Sequence, residues 1–400
     1  MMDFSDWLAE VSSQEYRIYI KRLSANDTGA SGGHQVGIYF PKSVLGDIFP
    51  SLTPDKIQPD SFFKATVESH DLPEQTLRAI YYNQKTRNEK RITRWKDGVH
   101  YSPLQDHEST GSIAVFAFEA DGASDCQYLR VWVCRHLGEE QLLESMIGNV
   151  EPGEVIYENG QTIFSGPLFR QPLNEESYPK EWNTNFPTGK EIVDYLFSKG
   201  FYSELSPDKR ILKRRVKEFD LFKSVEASHV IPVIRNGFHD VDEFIFLANS
   251  ILNRRKSRSG RSLELHLENI FKEEGLVNFG TQCVTEGNKK PDFLFPNCSA
   301  YHDQEFPSEK LRMLAVKTTV KDRWRQVLNE ASKINVIHLF TLQEGVSLNQ
   351  FKEMRSENVK LVVPNGKNNK KFHEDIREHL MSLDEFINET GREYDGFNSR

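Results

Sequence analysis

Three polar residues in the carboxy-terminal half have types and spacing that could do hydrolytic chemistry. Pro291-Asp292 opens a short predicted strand, Lys317 ends a second strand 25 residues later, and Glu330 follows thirteen residues further on a predicted helix. A carboxylate and a lysine on neighbouring strands can meet at a sheet edge, and a helix returning over that edge can add a second carboxylate. Hard dications such as magnesium take a few oxygen ligands plus waters, and a lysine beside them orients or deprotonates a nucleophilic water. That is the minimum for metal-assisted phosphodiester hydrolysis. Strand alternation puts Lys317 on the face of Met313 and Ala315, so a charge ends an otherwise apolar face. A plain ion pair with Asp292, or a snorkelling lysine, fits the same pattern.

The elements that must position these residues lie in two halves. Between Pro167 and Pro187 stand four of the chain's 17 prolines, a pattern that predicts an extended linker over 167–187. Before it, over 1–166, short alternating strands are predicted at Tyr16–Leu23, Val36–Phe40, Phe62–Glu68, Arg78–Tyr82, Lys90–Trp95, Ser112–Phe118 and Tyr128–Val133, giving a mostly-β barrel or sandwich. After it, over 188–400, helices are predicted at Lys190–Lys199, Lys209–Val225, Val241–Asn253 and Ser262–Glu274. Strands at Leu276–Thr285, Pro291–Phe295 and Leu311–Thr318 follow, then a helix at Lys321–Lys333. A strand at Asn335–Leu342, a helix at Ser347–Arg355, a strand at Val359–Val363 and a helix near Phe372–Glu389 complete an α/β layer fold with a mixed sheet.

Composition narrows the function classes. Hydrophobic residues are 38% and charged residues 28%, as in a globular chain, and no apolar run is long enough to span a bilayer. Acidic residues near the amino terminus, Asp3, Asp6 and Glu10, argue against a secretory signal and for a cytoplasmic location. Cys126, Cys134, Cys283 and Cys298 form no Cys-x-x-Cys pair and are expected to be buried free thiols. The net charge of −8 hides strong patterning. Glu119–Glu158 carries nine acids and two bases, whereas Arg254–Arg261 has five bases and no acid, Lys310–Arg325 six bases and one acid, and Lys85–Asp97 six and two. Phosphate binding needs local positive surface only, so a nucleic-acid partner stays open beside solvated helix faces.

Further residues suit DNA recognition. Lys321-Asp322-Arg323 begins the predicted helix after the Lys317 strand; lysine or arginine reads guanine, and a carboxylate accepts from cytosine N4. Arg215 and Phe219, four apart, share a helix face. Ser24–Gln35, flanked by Lys21 and containing His34, lacks the Gly-Lys-Ser/Thr of a nucleotide loop and suits contact with a DNA backbone. Lys85, Arg87, Glu89, Lys90, Arg91, Arg94 and Trp95 form a second recognition element, in which Glu89 would read a base or position an arginine.

The stretches Glu286–Pro296 and Met313–Ala331, together with Lys21–Gly29 and Lys85–Trp95, resemble the EcoRII restriction endonuclease family over nearly the whole chain. The resemblance implies an amino-terminal effector domain shaped as a DNA-binding pseudobarrel and a carboxy-terminal PD-(D/E)xK nuclease domain. It implies a magnesium-dependent type II (IIE) enzyme, a homodimer, that cuts double-stranded DNA at CCWGG-like sites and is stimulated by a second copy of the site on the effector domain. Ala315 stands where the general nuclease pattern has an acid, and in this family Glu330 supplies that carboxylate. Asp292 and Glu330 would hold the metal, Lys317 would orient water, and Glu264 matches a further acid, with Glu268 the competing choice. Arg215 and Phe219 would sandwich a flipped base. Close relatives read CCNGG, so the central base stays open. A companion cytosine methyltransferase, with no direct contact implied, belongs to such a system. The acidic stretch Glu119–Glu158 is expected to compete with DNA for a basic cleft lined by Arg254, Arg255, Lys256, Lys321 and Arg323. The rival reading is a non-catalytic DNA-binding regulator that keeps the nuclease fold.

Overall fold

The computed structural model describes the chain except residues 1, 33–36, 85–86, 96–101, 121, 149, 155, 161–177, 322 and 395–400. His34, Lys85, Asp322 and the first part of the proline-rich stretch therefore lie outside the described residues, as does the side chain of Lys256. The chain divides into two compact units. One is Met1–Leu168 with Gln343–Glu353 and Lys370–Arg377; the other is Phe169–Leu342 with Met354–Asn369 and Glu378–Arg400. No described helix is long and apolar enough to cross a membrane.

The first unit is built on β1 (Tyr16–Arg22), β2 (Ile38–Phe40), β3 (Asp60–Val67), β4 (Gln75–Tyr82), β5 (Glu89–Thr93), β6 (Ile113–Glu119), β7 (Tyr128–Val133) and β8 (Ile156–Asn159), in the order β2-β5-β4-β3-β7-β6-β1-β8. All pairings are antiparallel except β3 with β7. Period-two alternation divides the apolar run of β6 between two cores. Ala114, Phe116 and Phe118 join one core, while Ile113, Val115 and Ala117 pack in the other, with Trp7 of α1 (Phe4–Ser13) and Leu143 of α2 (Leu137–Ile147). Tyr19 of β1 and Phe40 of β2 stand near opposite ends of the strand order, yet their rings are 4.8 Å apart. The sheet thus curls onto itself around the first core, as a pseudobarrel must.

The acidic stretch is not the free negative surface expected from its composition. Glu139 and Glu140 are buried. Arg22 binds Glu140 and Glu144 at 2.8 Å each, and Arg135 binds Glu139 at 2.6 Å. These acids serve as internal counter-charges, which composition alone does not reveal.

The second unit sets helices against a five-stranded sheet, β13-β12-β11-β10-β9, formed by β9 (Gly280–Thr281), β10 (Phe293–Phe295), β11 (Arg312–Val316), β12 (Ile337–Phe340) and β13 (Val359–Val362). β9, β10 and β11 run antiparallel, whereas β11, β12 and β13 are parallel, giving the mixed sheet. The helices are α3 (Gly189–Ser198), α4 (Pro207–Asn236), α5 (Val241–Glu273) and α6 (Leu383–Tyr394). Leu263, Leu267, Ile270 and Phe271 of α5 pack on Phe293, Phe295, Leu314 and Val316.

Two expected helices, Val241–Asn253 and Ser262–Glu274, are one continuous α5, because the intervening basic segment is neutralised from the facing helix. Arg255 binds Glu226 through Nε at 2.9 Å, and Arg258 binds Glu218 at 2.8 Å. Both arginines are buried, so the cleft lined by Arg254, Arg255 and Lys256 is corrected: Arg255 turns inward, and Arg254 lies over the Phe186 ring at 3.9 Å. Cys283 and Cys298 are not free thiols but form a disulfide; Gly280 leaves room for both sulfurs, since a Cβ there would lie 2.6 Å from each. Cys126 and Cys134 are free and buried. The expected strand Leu276–Thr285 shrinks to two residues before Gln282, whose left-handed φ of 52° breaks it.

Glu218 is fully buried and also binds His266 Nε2 at 3.1 Å, Arg215 at 3.3 Å and the Ser262 hydroxyl. Burial pushes its carboxyl up, but Arg258, His266 and Arg215 outweigh it and hold the group far below the ordinary carboxylate range. Glu218→Ala would strand the Arg215 and Arg258 charges in the interior and is expected to cost about 3–5 kcal/mol in urea unfolding. A loss under about 1 kcal/mol, the worth of an exposed pair, would show that the network does not join α4 to α5.

Candidate active site

Asp292 immediately precedes β10, and its Oδ2 accepts a 2.7 Å hydrogen bond from the Val316 N–H at the end of β11. That bond fixes the carboxylate beside the next residue, and Lys317 Nζ lies 3.7 Å from the same oxygen. The Lys317 N–H donates to the Phe340 carbonyl at 3.0 Å, so β12 holds the backbone that carries the lysine. Asp292 is buried, and Lys317 is about one-fifth exposed.

Two further carboxylates face this pair. Glu264, on α5, accepts from Gln282 Nε2 at 3.2 Å and interacts with Asp292; burial first, and then the Asp292 charge, push its carboxyl up to about 7. Arg261 and Lys317 oppose that rise. Burial likewise pushes Glu330 up to about 7, against the attraction of Lys317. Glu330 Oε2 is buried with no hydrogen-bond partner among the described residues. Glu268 instead pairs with Lys272 at 2.6 Å along the same helix.

Glu330 is not on a helix. Of the predicted span Lys321–Lys333, only one tight helical turn, Trp324–Val327, forms. The Asn329 and Glu330 carbonyls, which a longer helix would use, are taken by Lys289 Nζ at 2.8 Å and Thr285 Oγ1 at 2.5 Å. Lys321 and Arg323 accordingly lie in a turn. Gln282, Thr285 and Lys289 escaped the sequence reading; the polar run just before Pro291 was their only signal.

The recognition candidates are placed unevenly. Arg215 is 7% exposed and committed to Glu218 and Ser262. The guanidinium over the Phe219 ring is that of Arg258, at 5.1 Å. In the first unit, Lys21 Nζ sits 2.8 Å from buried Asp27. Glu89 binds Arg91 at 3.1 Å, and Arg91 also donates to the Gly37 carbonyl. Lys90, Arg91 and Trp95 are buried, and of the three only Arg91 reaches a cavity wall; β5 is paired on both sides and Trp95 belongs to the core. Arg87 and Arg94 are exposed, lying over the rings of Tyr82 and Phe62.

The chain is similar to known proteins over nearly its whole length. The family description "EcoRII C terminal" matches residues 222–387, and "Restriction endonuclease EcoRII, N-terminal" matches residues 12–162. The chain is 52% identical over 397 residues to "Type II restriction enzyme EcoRII" of Escherichia coli, with 97% of each sequence covered. The chain belongs to the EcoRII family of type II restriction endonucleases. Its two halves match the effector and nuclease parts of that family. Two solved structures are also similar. "Metal-depleted Ecl18kI in complex with uncleaved, modified DNA" shares 18% identity at TM-score 0.45, over 55% of this chain and 83% of that one. The same protein with uncleaved DNA shares 17% at TM-score 0.42, over 56% and 87%. Similarity this distant adds nothing to the EcoRII assignment.

The donor set fits a hard dication. Glu264 and Glu330, both of elevated proton affinity, stand with Asp292 about a lysine, and Glu330 Oε2 is buried without a hydrogen-bond partner among the described residues. Among the described residues no three His, Cys, Asp or Glu side chains converge as a ready-made metal nest. Magnesium, which keeps several waters and takes one or two carboxylates, needs none.

Glu330 holds a proton up to about pH 7, where the ordinary carboxyl loses it at 4.5. The folded chain therefore binds the extra proton between those values, and stability from this group is present at low pH and lost as pH rises through 7. In chelator, Glu330→Gln is expected to match the wild-type melting temperature near pH 4.5 and to exceed it by about 1–2 °C at pH 8. Equal differences at both pH values would contradict a strained Glu330 charge.

Proposed function

We propose that this EcoRII-family enzyme uses Asp292, Glu330 and Lys317 for magnesium-dependent hydrolysis of double-stranded DNA at CCWGG-like sites. The observation that carries the reading is the Glu330 Oε2 atom, buried with no hydrogen-bond partner among the described residues, in the field of the Asp292–Lys317 pair. Bound magnesium would neutralise charge on the scissile phosphate and make its water more acidic. Asp292 and Glu330 would hold the ion. Lys317 would hold the attacking water against the phosphorus as the P–O3′ bond breaks to leave a 5′-phosphate and a 3′-hydroxyl, and Glu264, whose proton affinity is raised to about 7, would in its ionised form accept the water's proton.

Base recognition would come from Lys321, Asp322 and Arg323, beside the Lys317 strand. Base flipping onto Phe219 would require Arg215 to leave Glu218, since it is now tied there. A homodimer suits a two-fold symmetric site, with one nuclease unit per strand. The tip joining α4 and α5 supports that assembly: Val241, Phe244 and Phe246 are 70%, 52% and 77% exposed. A cytosine methyltransferase marking the same sequence, and a cytoplasmic setting, complete the reading.

A second DNA site would act through the first unit. That unit holds a cavity of about 400 Å³ lined by Tyr19, Lys21, Arg22, Ser24, Arg91 and Glu344. Gln343–Glu353 belongs to this unit and sits on the loop after β1, the Ala25 N–H donating to the Glu344 carbonyl at 2.8 Å. DNA bound through Arg87 and Arg94 and entering that cavity would favour release of the segment, and can do so only by binding the released state better.

Digestion of plasmids carrying one or two sites tests both parts. Asp292→Ala and Lys317→Ala are expected to abolish cutting while retaining specific binding, whereas Glu268→Ala stays near wild type. Arg87→Ala with Arg94→Ala is expected to lose two-site stimulation and keep the one-site rate. Turnover by Asp292→Ala would remove the metal assignment, and full stimulation in the double variant would remove the effector surface.

A further inference from the structure

The segment carrying Glu330 has no regular structure of its own to aim it. Val320, Trp324, Val327 and Ala331 are buried at near-helical spacing, so the sequence is disposed to continue the Trp324–Val327 turn as a helix. A helix continued as far as Ile334 would use the carbonyls of Asn329 and Glu330 as acceptors for the Lys333 and Ile334 N–H groups. Both are occupied from outside. Lys289 Nζ donates to the Asn329 carbonyl at 2.8 Å, and Thr285 Oγ1 donates to the Glu330 carbonyl at 2.5 Å. A third grip follows on the next residues: Glu286 Oε2 accepts from the Ser332 N–H at 3.4 Å, while the Tyr301 hydroxyl, 2.8 Å away, steadies the same carboxylate.

These three side chains come from one turn of five residues, and that turn is itself closed. The Thr285 N–H donates to the Lys289 carbonyl at 2.8 Å, and the Lys289 N–H returns to the Glu286 carbonyl at 3.4 Å. Three residues beyond Lys289 stands Asp292. The two carboxylates that must face one ion are thus tied to a common piece of backbone, one by direct continuity and the other by hydrogen bonds.

We propose that Thr285, Glu286 and Lys289 are positioning residues that hold the Glu330 segment out of a helix and fix its carboxylate opposite Asp292, with Thr285 the central member. This deepens the site described above and rests on Glu330 being a metal ligand. Thr285 is buried, and its hydroxyl meets backbone carbonyls alone, that of Glu330 at 2.5 Å and that of Lys289 in its own turn at 3.3 Å, so it acts through Glu330 and not on substrate. Valine keeps its shape without the donor; serine keeps the donor.

The test uses the full-length chain without DNA, titrated with Mn²⁺ and followed by the EPR signal of the free ion, together with the Mg²⁺ concentration giving half-maximal plasmid cleavage. Thr285→Val is expected to weaken Mn²⁺ binding about 10-fold and to raise half-saturating Mg²⁺ by a similar factor, as loss of a ligand-orienting partner does. Thr285→Ser is expected to restore both, and DNA affinity in chelator is expected to stay unchanged. Should Thr285→Val fail to fold, Lys289→Met, at the exposed grip on Asn329, is read in the same way. If Glu330→Gln weakens Mn²⁺ binding but neither Thr285→Val nor Lys289→Met does, the positioning role is overturned and the site stands. If Glu330→Gln leaves Mn²⁺ binding unchanged, the site reading itself fails and takes the inference with it.

Discussion

The hydrogen bond from the Val316 N–H to Asp292 is the constraint on which the catalytic arrangement depends. It uses a backbone donor at the end of a buried strand, so the carboxylate cannot move without leaving that N–H unpaired at the junction of β10 and β11. It places Asp292 within reach of Lys317, the next residue along. The remaining acids must then be brought toward a charge that repels them. Their raised proton affinities record that cost, which burial and the Asp292 carboxylate impose and Lys317 only partly offsets. A bound dication is the natural compensation, since it reverses the sign of every carboxylate interaction in the cluster.

The same economy of charge runs through the scaffold. A chain of net charge −8 with clustered bases invites reading each cluster as a DNA-facing surface. Instead Arg255 and Arg258 meet Glu226 and Glu218 across two long antiparallel helices, and Arg22 meets Glu140 and Glu144 beneath the pseudobarrel. These pairs let polar residues occupy interior positions and fix which helix turn lies against which. The exposed cations are fewer than composition suggests, Arg87 and Arg94 in the first unit among them.

Much of this was legible in the sequence, where one local pattern decided the outcome. Alternation located β1, β6 and β7 to within a residue or two, and helical periodicity found α3. β8 was missed because four residues carry too short a pattern. Asp292 and Lys317 were placed together correctly because strand ends and alternation suffice to bring them there. The continuity of α5, the disulfide and the irregular Glu330 segment depend on partners distant in the chain. Spacing predicted a helix over Lys321–Lys333, and Thr285 and Lys289 overruled it by taking its carbonyls. Resemblance to the EcoRII family supplied Glu264, which periodicity alone could not separate from Glu268.

The central claim is that one hard cation is held by Asp292 and Glu330 beside Lys317. Anomalous diffraction from crystals of the full-length enzyme soaked in Mn²⁺ tests it most directly, because the ion is located without reference to activity. The account predicts a peak within bonding distance of an oxygen of Asp292 and an oxygen of Glu330, about 2.0–2.2 Å from each for a cation of this kind. A peak bound by other residues, with Glu330 turned away from it, would contradict the account.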